Sequence, residues 1–257
     1  MMHAVRISVT LAGVGAVVWD AEIAKAYDAS VADMFEPAVV EPTIELLATL
    51  AGDTPALEFA IGTGRIALAL AARGVTVAGI ELSPPMVDQL VARPGGADLD
   101  VTIGDMATTR VAGRFGLVYL VFNTIMNLTT QDEQVAVFEN AAAHLQPGGC
   151  FVVEVIVPQL RRLQPGEVGR VFTMDSDHVG IETFDDLVGQ ISTSHHWMRI
   201  DGRLVRHSAP YRYVWPSELD LMARLAGLRL RGRWSDWSRT PFTSESVSQV
   251  AVFEKPA

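Results

Sequence analysis

Gly62-Thr63-Gly64 closes a short apolar run, Ala56 to Ile61, and opens an alanine- and leucine-rich stretch with helical spacing. Glycines at a strand-to-helix turn let a backbone approach a ligand closely, and the new helix offers its free amides there. Gly62, Gly64 and Ala67 match the loose pattern G-x-G-x-x-G/A. Glu81 follows Gly62 by 19 residues, at the end of the next apolar run, VTVAGI. A carboxylate in that position accepts hydrogen bonds from ribose hydroxyls. This spacing points to a ligand carrying an adenosine, either a dinucleotide or S-adenosylmethionine. A turn that serves close packing alone is the plainer alternative.

Further residues bear on that choice. Glu58 stands inside the first apolar run, where a carboxylate suits an ammonium or a water network near a cationic ligand and is unwelcome beside a pyrophosphate. Asp105 and Met106 follow a third run, LDVTIG, where a carboxylate can accept from an adenine amino group. In the second half, His195 and His196 are adjacent in a strand-like stretch. Their side chains therefore point to opposite faces, and at most one faces a pocket. Both are candidate general bases, and Tyr213 joins them as a candidate catalytic residue. Trp197 shares the His195 face and Met198 the His196 face. Tyr211, Tyr213 and Trp215 lie on one face of YRYVW, and Tyr211, Trp197 and Trp215 are candidates to bind a flat aromatic or heterocyclic substrate. The alternative is that these aromatics cover an exposed face. A metal site from Asp175, Asp177, His178 and His195 is conceivable, but nothing in the spacing converges four ligands, so none is expected.

These residues need a frame to position them. The 257-residue chain is one large domain or a domain with a sizeable insertion. With 49% hydrophobic and 19% charged residues it can bury a core. Its formal net charge of −10 disfavours a nucleic-acid partner, and the arginines of RLRGRW (229–234) alternate as on a half-buried strand. The lone Cys150 excludes an internal disulfide and a multi-cysteine zinc site. No apolar run approaches the ~20 residues of a membrane span. The N-terminus only faintly resembles a signal peptide, so a cytoplasmic protein is expected, with a lid-forming or flexible first segment.

Along the chain, strands at 56–61, 75–80, 99–104, 115–122 and 150–157 alternate with helices at 65–73, 85–92 and 130–145, after helical spacing over 31–50. Ser83 caps the second of these helices. Alternation predicts a parallel sheet with helices on both faces. Residues 158–214 switch to alternating segments, read as an antiparallel cap. A helix from Trp215 and a terminal strand pair follow. The expected organisation is an N-terminal segment, 1–30; a cofactor-binding α/β core, 31–157; a β cap over the substrate pocket, 158–214; and the closing core elements, 215–257.

With ALEFAIGTGR, VAGIELSPPMV, VTIGDMAT, LVYLVFNTI and HLQPGGCFVVEV on the page, the chain resembles the class I S-adenosylmethionine-dependent methyltransferases, from about residue 25 onward. It is similar to the small-molecule branch common in actinobacterial natural-product pathways. The resemblance implies a Rossmann-like seven-stranded sheet whose last strand is antiparallel, with the cap inserted after the fifth strand. By position it carries Gly62, Thr63 and Gly64 under the cofactor and Glu81 to the ribose. Leu82 and Met86 go to the adenine, and Asp105 and Met106 to its edge. Phe122 and Asn123 would face the methionine part and the transferring methyl, with Arg65 and Tyr27 as partners of the methionine carboxylate. One departure is Ala60, where the family has its first glycine; binding is expected to survive it. VFNT after the fourth strand lacks the carboxylates of metal-dependent catechol enzymes and the Pro-Pro-aromatic of base-modifying ones.

The expectation is methyl transfer from S-adenosyl-L-methionine, leaving S-adenosyl-L-homocysteine, to a small molecule. The acceptor is an amine nitrogen, an activated aromatic carbon such as an indole, or an oxygen. An NAD(P)-dependent oxidoreductase and a non-catalytic S-adenosylmethionine-binding protein are the alternatives. The expected partner is the small-molecule acceptor alone, with no nucleic acid and no membrane, in a monomer or homodimer.

Overall fold

The computed structural model describes residues 21–200 and 202–257. The reading of the first 20 residues as part of a lid or leader lies outside them. Strands β1 (Ala56–Phe59), β2 (Val77–Glu81), β3 (Asp100–Ile103), β4 (Phe115–Leu120) and β5 (Leu145–Ile156) run parallel. Helices α3 (Arg65–Ala72), α4 (Pro84–Val91) and α5 (Gln131–His144) follow β1, β2 and β4. Strand β11 (Ser248–Glu254) is antiparallel to β5, and β10 (Arg229–Trp234) closes the edge against β11. The sheet order is β10-β11-β5-β4-β1-β2-β3. Every residue of β1 and β4 is buried, as strands covered on both faces must be. One apolar cluster fills the α5 side and a second the side of α2 (Pro37–Ala51) and α3.

Local chemistry sets the helix starts. Ser83 accepts from the Met86 amide and Pro84 takes the first helical position, so α4 begins one residue before the expected Pro85. Thr130 and Glu133 form a reciprocal capping box, which leaves Thr130 outside α5 as its cap. The helical spacing over 31–50 resolves into a 3-10 turn, Ala32–Phe35, and α2. Pro37 opens α2, and Pro42 lies within it. Helix α1 (Ala21–Ser30), unforeseen in the sequence, packs against α4, with Asp28 paired to Arg93.

After β5 the chain builds a second sheet from β6 (Gly169–Met174), β7 (His178–Asp186), β8 (Ile191–Ile200) and β9 (Arg203–Arg212), each antiparallel to the next. Helix α6 (Pro216–Leu225) returns the chain to β10. The expected strand YRYVW is cut short: β9 ends at Arg212, and the Tyr213 amide donates instead to Gln190 O. A buried network holds this corner. Arg212 donates to Glu218 at 2.6 Å and to Gln134, while Gln134 donates to the carbonyls of Ile125, Leu128 and Arg212. The cap is thereby fastened to α5, to α6 and to the turn after β4.

Candidate active site

Strand order reverses between β1 and β4, and α/β sheets hold ligands in the crevice outside the carboxyl ends of such strands. The glycine turn, Glu81 and the turn after β4 meet there. Both oxygens of Glu81 are held, Oε2 accepting from the Gly62 amide at 2.8 Å and Oε1 from the Ser83 amide at 2.9 Å. Burial raises its carboxyl above the usual range, while the Ser83, Gly62 and Leu82 amides pull it down. A carboxylate has about four acceptor positions, so beyond these three amides one remains for a ligand hydroxyl.

The two glycines meet different needs. Gly62 has φ +57°, and a Cβ there would meet nothing closer than Ala60 O at 3.9 Å, so the space before it is open to a ligand. A Cβ on Gly64 would lie 2.2 Å from Leu90 Cδ1; this glycine lets α3 approach α4. Ala60 itself takes φ +54°, which costs an L-residue roughly 1–2 kcal/mol, so the tight turn is kept at the expense of strain. Buried Thr63 donates to Asp28 Oδ1 at 2.7 Å and ties α1 to the turn. Arg65 donates to Met34 O and lies 5.1 Å from the Phe122 ring centroid.

Glu58 is buried behind the turn, where Oε2 accepts from the Tyr119 hydroxyl at 2.9 Å. Burial pushes its carboxyl up to about 8, against the pull of that hydroxyl and of Arg65. Of the residues expected at the adenine, Met86 and Met106 are buried and Leu82 is exposed. Asp105 Oδ1 accepts from the Ala107 amide at 2.7 Å, which uses one of its two oxygens.

Phe122 and Asn123 occupy consecutive left-handed positions, φ +58° and +62°. Glu154 clamps them: its Oε2 accepts from the Phe122 amide at 2.7 Å, its carbonyl from the Asn123 amide, and its Oε1 from Trp237 Nε1 at 2.8 Å. Asn123 Oδ1 accepts from the Ile156 amide at 2.7 Å. Paired strain of this kind is held at functional sites by surroundings that over-determine it.

This turn and Tyr27 form one wall of a cavity of about 480 Å³, and the inner face of the cap forms the other. From the cap come Arg170, Phe172, Glu182, Ser194, His196 and Tyr211. Arg170 donates to Glu182 at 2.9 Å across β6 and β7. Phe172 crosses over Gly180, whose Cβ would come within 2.3 Å of that ring, and meets His196 edge-on at 5.4 Å. Burial raises the Tyr27 and Tyr211 hydroxyls.

The sequence-derived candidates divide accordingly. His196 and Tyr211 reach the cavity. His195 and Trp197 lie on the other face of β8, where His195 is within hydrogen-bond distance of Thr183 and Ser208. Tyr213 is 3% exposed and packs in the core against Phe184, and Trp215 precedes α6, so neither lines the cavity. They part from Tyr211 because the strand ends before them. Sequence reasoning missed Glu154, Arg170, Phe172, Glu182 and Ser194. Only Glu154 left a signal, a lone charge within the apolar CFVVEVIV. Among the described residues, no three His, Cys, Asp or Glu side chains are arranged to hold a metal ion.

A family model described as a methyltransferase domain matches residues 56–149. The CcbJ methyltransferase from Streptomyces caelestis is similar in structure, with a TM-score of 0.81 and 35% identity, over 91% of this chain and 96% of that one. The cypemycin N-terminal methyltransferase of a Streptomyces sp is 27% identical over 245 residues, 93% of this chain and 98% of that protein. A dTDP-3-amino-3,6-dideoxy-alpha-D-glucopyranose N,N-dimethyltransferase from Streptomyces fradiae is 39% identical over 98 residues, 38% of each chain.

Proposed function

Because the chain belongs to the S-adenosylmethionine-dependent methyltransferases, in their small-molecule branch, we propose that it methylates an amine nitrogen of a natural-product acceptor. The cofactor is S-adenosylmethionine, with S-adenosylhomocysteine as product. One observation carries the nitrogen reading. The cavity is lined by Ser194, His196 and the Arg170–Glu182 ion pair from the cap together with Phe122 and Asn123, so that groups able to hold and deprotonate an amine share the space of the turn assigned to the cofactor. Relatives support it, since an N-terminal methyltransferase and an amino-sugar N,N-dimethyltransferase both act on nitrogen. Phe122, Phe172 and Tyr211 suit an acceptor with an apolar ring face beside the amine.

When bound, the cofactor supplies a methyl group on a positively charged sulfur that leaves readily. The chain must align the nucleophile and exclude water, and orientation alone can supply up to about 7–11 kcal/mol. We assign Glu81 to the ribose and Gly62 and Thr63 to the floor of the site, where Gly64 acts through packing. Leu82, Met86, Asp105 and Met106 surround the adenine. Tyr27, Glu58 and Arg65 face the methionine part, and the Phe122-Asn123 turn holds the reacting end. The acidic charge favours a partner other than nucleic acid, and we place the protein in the cytoplasm as a monomer or homodimer. No helix among the described residues is long and apolar enough to cross a membrane.

The test incubates the protein with methyl-deuterated S-adenosylmethionine and a panel of nucleotide-linked amino sugars, peptides with free N-termini, indoles and phenols. Mass spectrometry and NMR then locate the label. Label on nitrogen is expected. Label confined to carbon or oxygen would overturn the nitrogen reading and leave methyl transfer standing.

A further inference from the structure

The inner face of the cap carries a continuous polar line that reaches out of the cavity. Ser194 Oγ lies 2.9 Å from His196 Nε2, and His196 Nδ1 lies 2.9 Å from His178 Nε2. The ring centroids are 5.1 Å apart, the separation of two imidazoles joined edge to edge through that contact rather than stacked face to face. Strand register makes this possible, because Gly180 stands opposite His196 and puts no side chain between the rings. Ser194 and His196 line the cavity. His178 is half-buried and lines a separate surface groove with Asp175, Asp177 and Arg199.

We infer that Ser194, His196 and His178 form a proton exit path from the acceptor nitrogen to bulk water, an inference that rests on the amine reading above. An ammonium has no lone pair with which to attack, so a proton must leave first. It passes to Ser194 Oγ as the Ser194 proton moves to His196 Nε2. The His196 Nδ1 proton moves to His178 Nε2, and His178 releases its own Nδ1 proton to water. The freed nitrogen lone pair then forms the N–C bond, and the electron pair of the breaking C–S bond stays on sulfur. One proton has moved along the face of the cap from the cavity to His178 at its edge, and nothing is oxidised or reduced.

The surroundings keep His196 uncharged. His196 is faced by His178 from β7, His207 from β9 and the Phe172 edge from β6, with His195 beside it in the chain and the Arg170–Glu182 pair on the same face. Burial first, then the neighbouring histidines, holds His196 below its ordinary range, so that it is neutral and can accept at Nε2.

The six histidines can be assigned in 15N NMR spectra by single substitution. At neutral pH both His196 and His178 should be Nδ1–H tautomers. His178→Asn should leave S-adenosylhomocysteine affinity unchanged by calorimetry. Below the acceptor amine's pKa it should slow turnover about tenfold or more, and the deficit should vanish at higher pH, where the amine is already neutral. Ser194→Ala should lose more turnover at low pH than at high pH, with a residual loss throughout because Ser194 also lines the acceptor cavity. An Nε2–H tautomer at His196, or a deficit equal at every pH, would overturn the path. Labelling confined to carbon or oxygen would remove the amine reading and the path with it, whereas label on nitrogen with a pH-independent deficit would overturn the path alone.

Discussion

Glu81 and Gly62, 19 residues apart in the chain, are joined by a 2.8 Å hydrogen bond from the Gly62 amide to Glu81 Oε2. The residue proposed for the ribose is therefore also the brace of the turn proposed to carry the cofactor. Substitutions here act on binding and folding together, and the two must be measured separately.

Glu81→Ala removes the acceptor of two backbone amides and should cost about 1–3 kcal/mol of stability, with a similar loss in S-adenosylhomocysteine affinity. Glu81→Gln keeps one acceptor oxygen but turns an NH2 toward the other amide, so it should recover only part of the stability lost in Glu81→Ala while still binding more weakly. Thermal unfolding and calorimetric titration read both, and wild-type affinity in either variant would refute the ribose assignment. Gly62→Val, at a site with room for a Cβ but an unfavourable φ, should abolish binding while still folding.

Glu154 holds the two left-handed residues that end β4. Glu154→Ala leaves the Phe122 amide and Trp237 Nε1 without their acceptor and should destabilise the protein by about 2–4 kcal/mol. Trp237→Phe alone should cost about 1 kcal/mol, and nothing further in the Glu154→Ala background. Urea unfolding of the four proteins completes the cycle; additive losses would show that the clamp does not act as a unit.

Glu58, raised to about 8, is protonated at neutral pH. The folded state holds this proton more tightly than the unfolded one. Its contribution to stability therefore falls as pH rises from about 4.5 to 8. Glu58→Gln should flatten that decline in denaturation curves. A cationic cofactor nearby should expel the proton, so the binding enthalpy of S-adenosylmethionine at pH 7 should vary with the ionisation enthalpy of the buffer, and cease to vary in Glu58→Gln. Buffer-independent binding by the wild type would show that Glu58 does not sense the cofactor.

Glu218 moves the opposite way. Burial opposes its charge, but hydrogen bonds from Arg212, Gln190 and Gln131 prevail and hold its carboxyl below the usual range. The stabilisation is fully present above the unfolded value of about 4.5 and is lost as pH falls through the lower folded value. Arg212→Met strands the carboxylate and should cost about 3–5 kcal/mol near neutrality, and less in acid. An equal loss at every pH would show that packing, not charge, governs this corner.

The sequence by itself determined the alternation of strands and helices over 56–157, the cap at Ser83, and the spacing that links Gly62 with Glu81. Each rests on backbone sterics, side-chain period or a fixed spacing, which a linear chain displays. It also established that His195 and His196 oppose each other, because successive side chains in a strand alternate. Which of them faces the cavity was decided by the packing of the cap, since alternation has no sign until one face is buried. Tyr213 and Trp215 left the Tyr211 wall for the same kind of reason. The strand ends where Arg212 is captured by Gln134 and Glu218, partners 78 and 6 residues away. Glu154 clamping Phe122, Asp28 holding Thr63 and His178 meeting His196 are contacts between segments brought together only by folding. No local pattern encodes them, because each depends on strand order and register across the whole sheet.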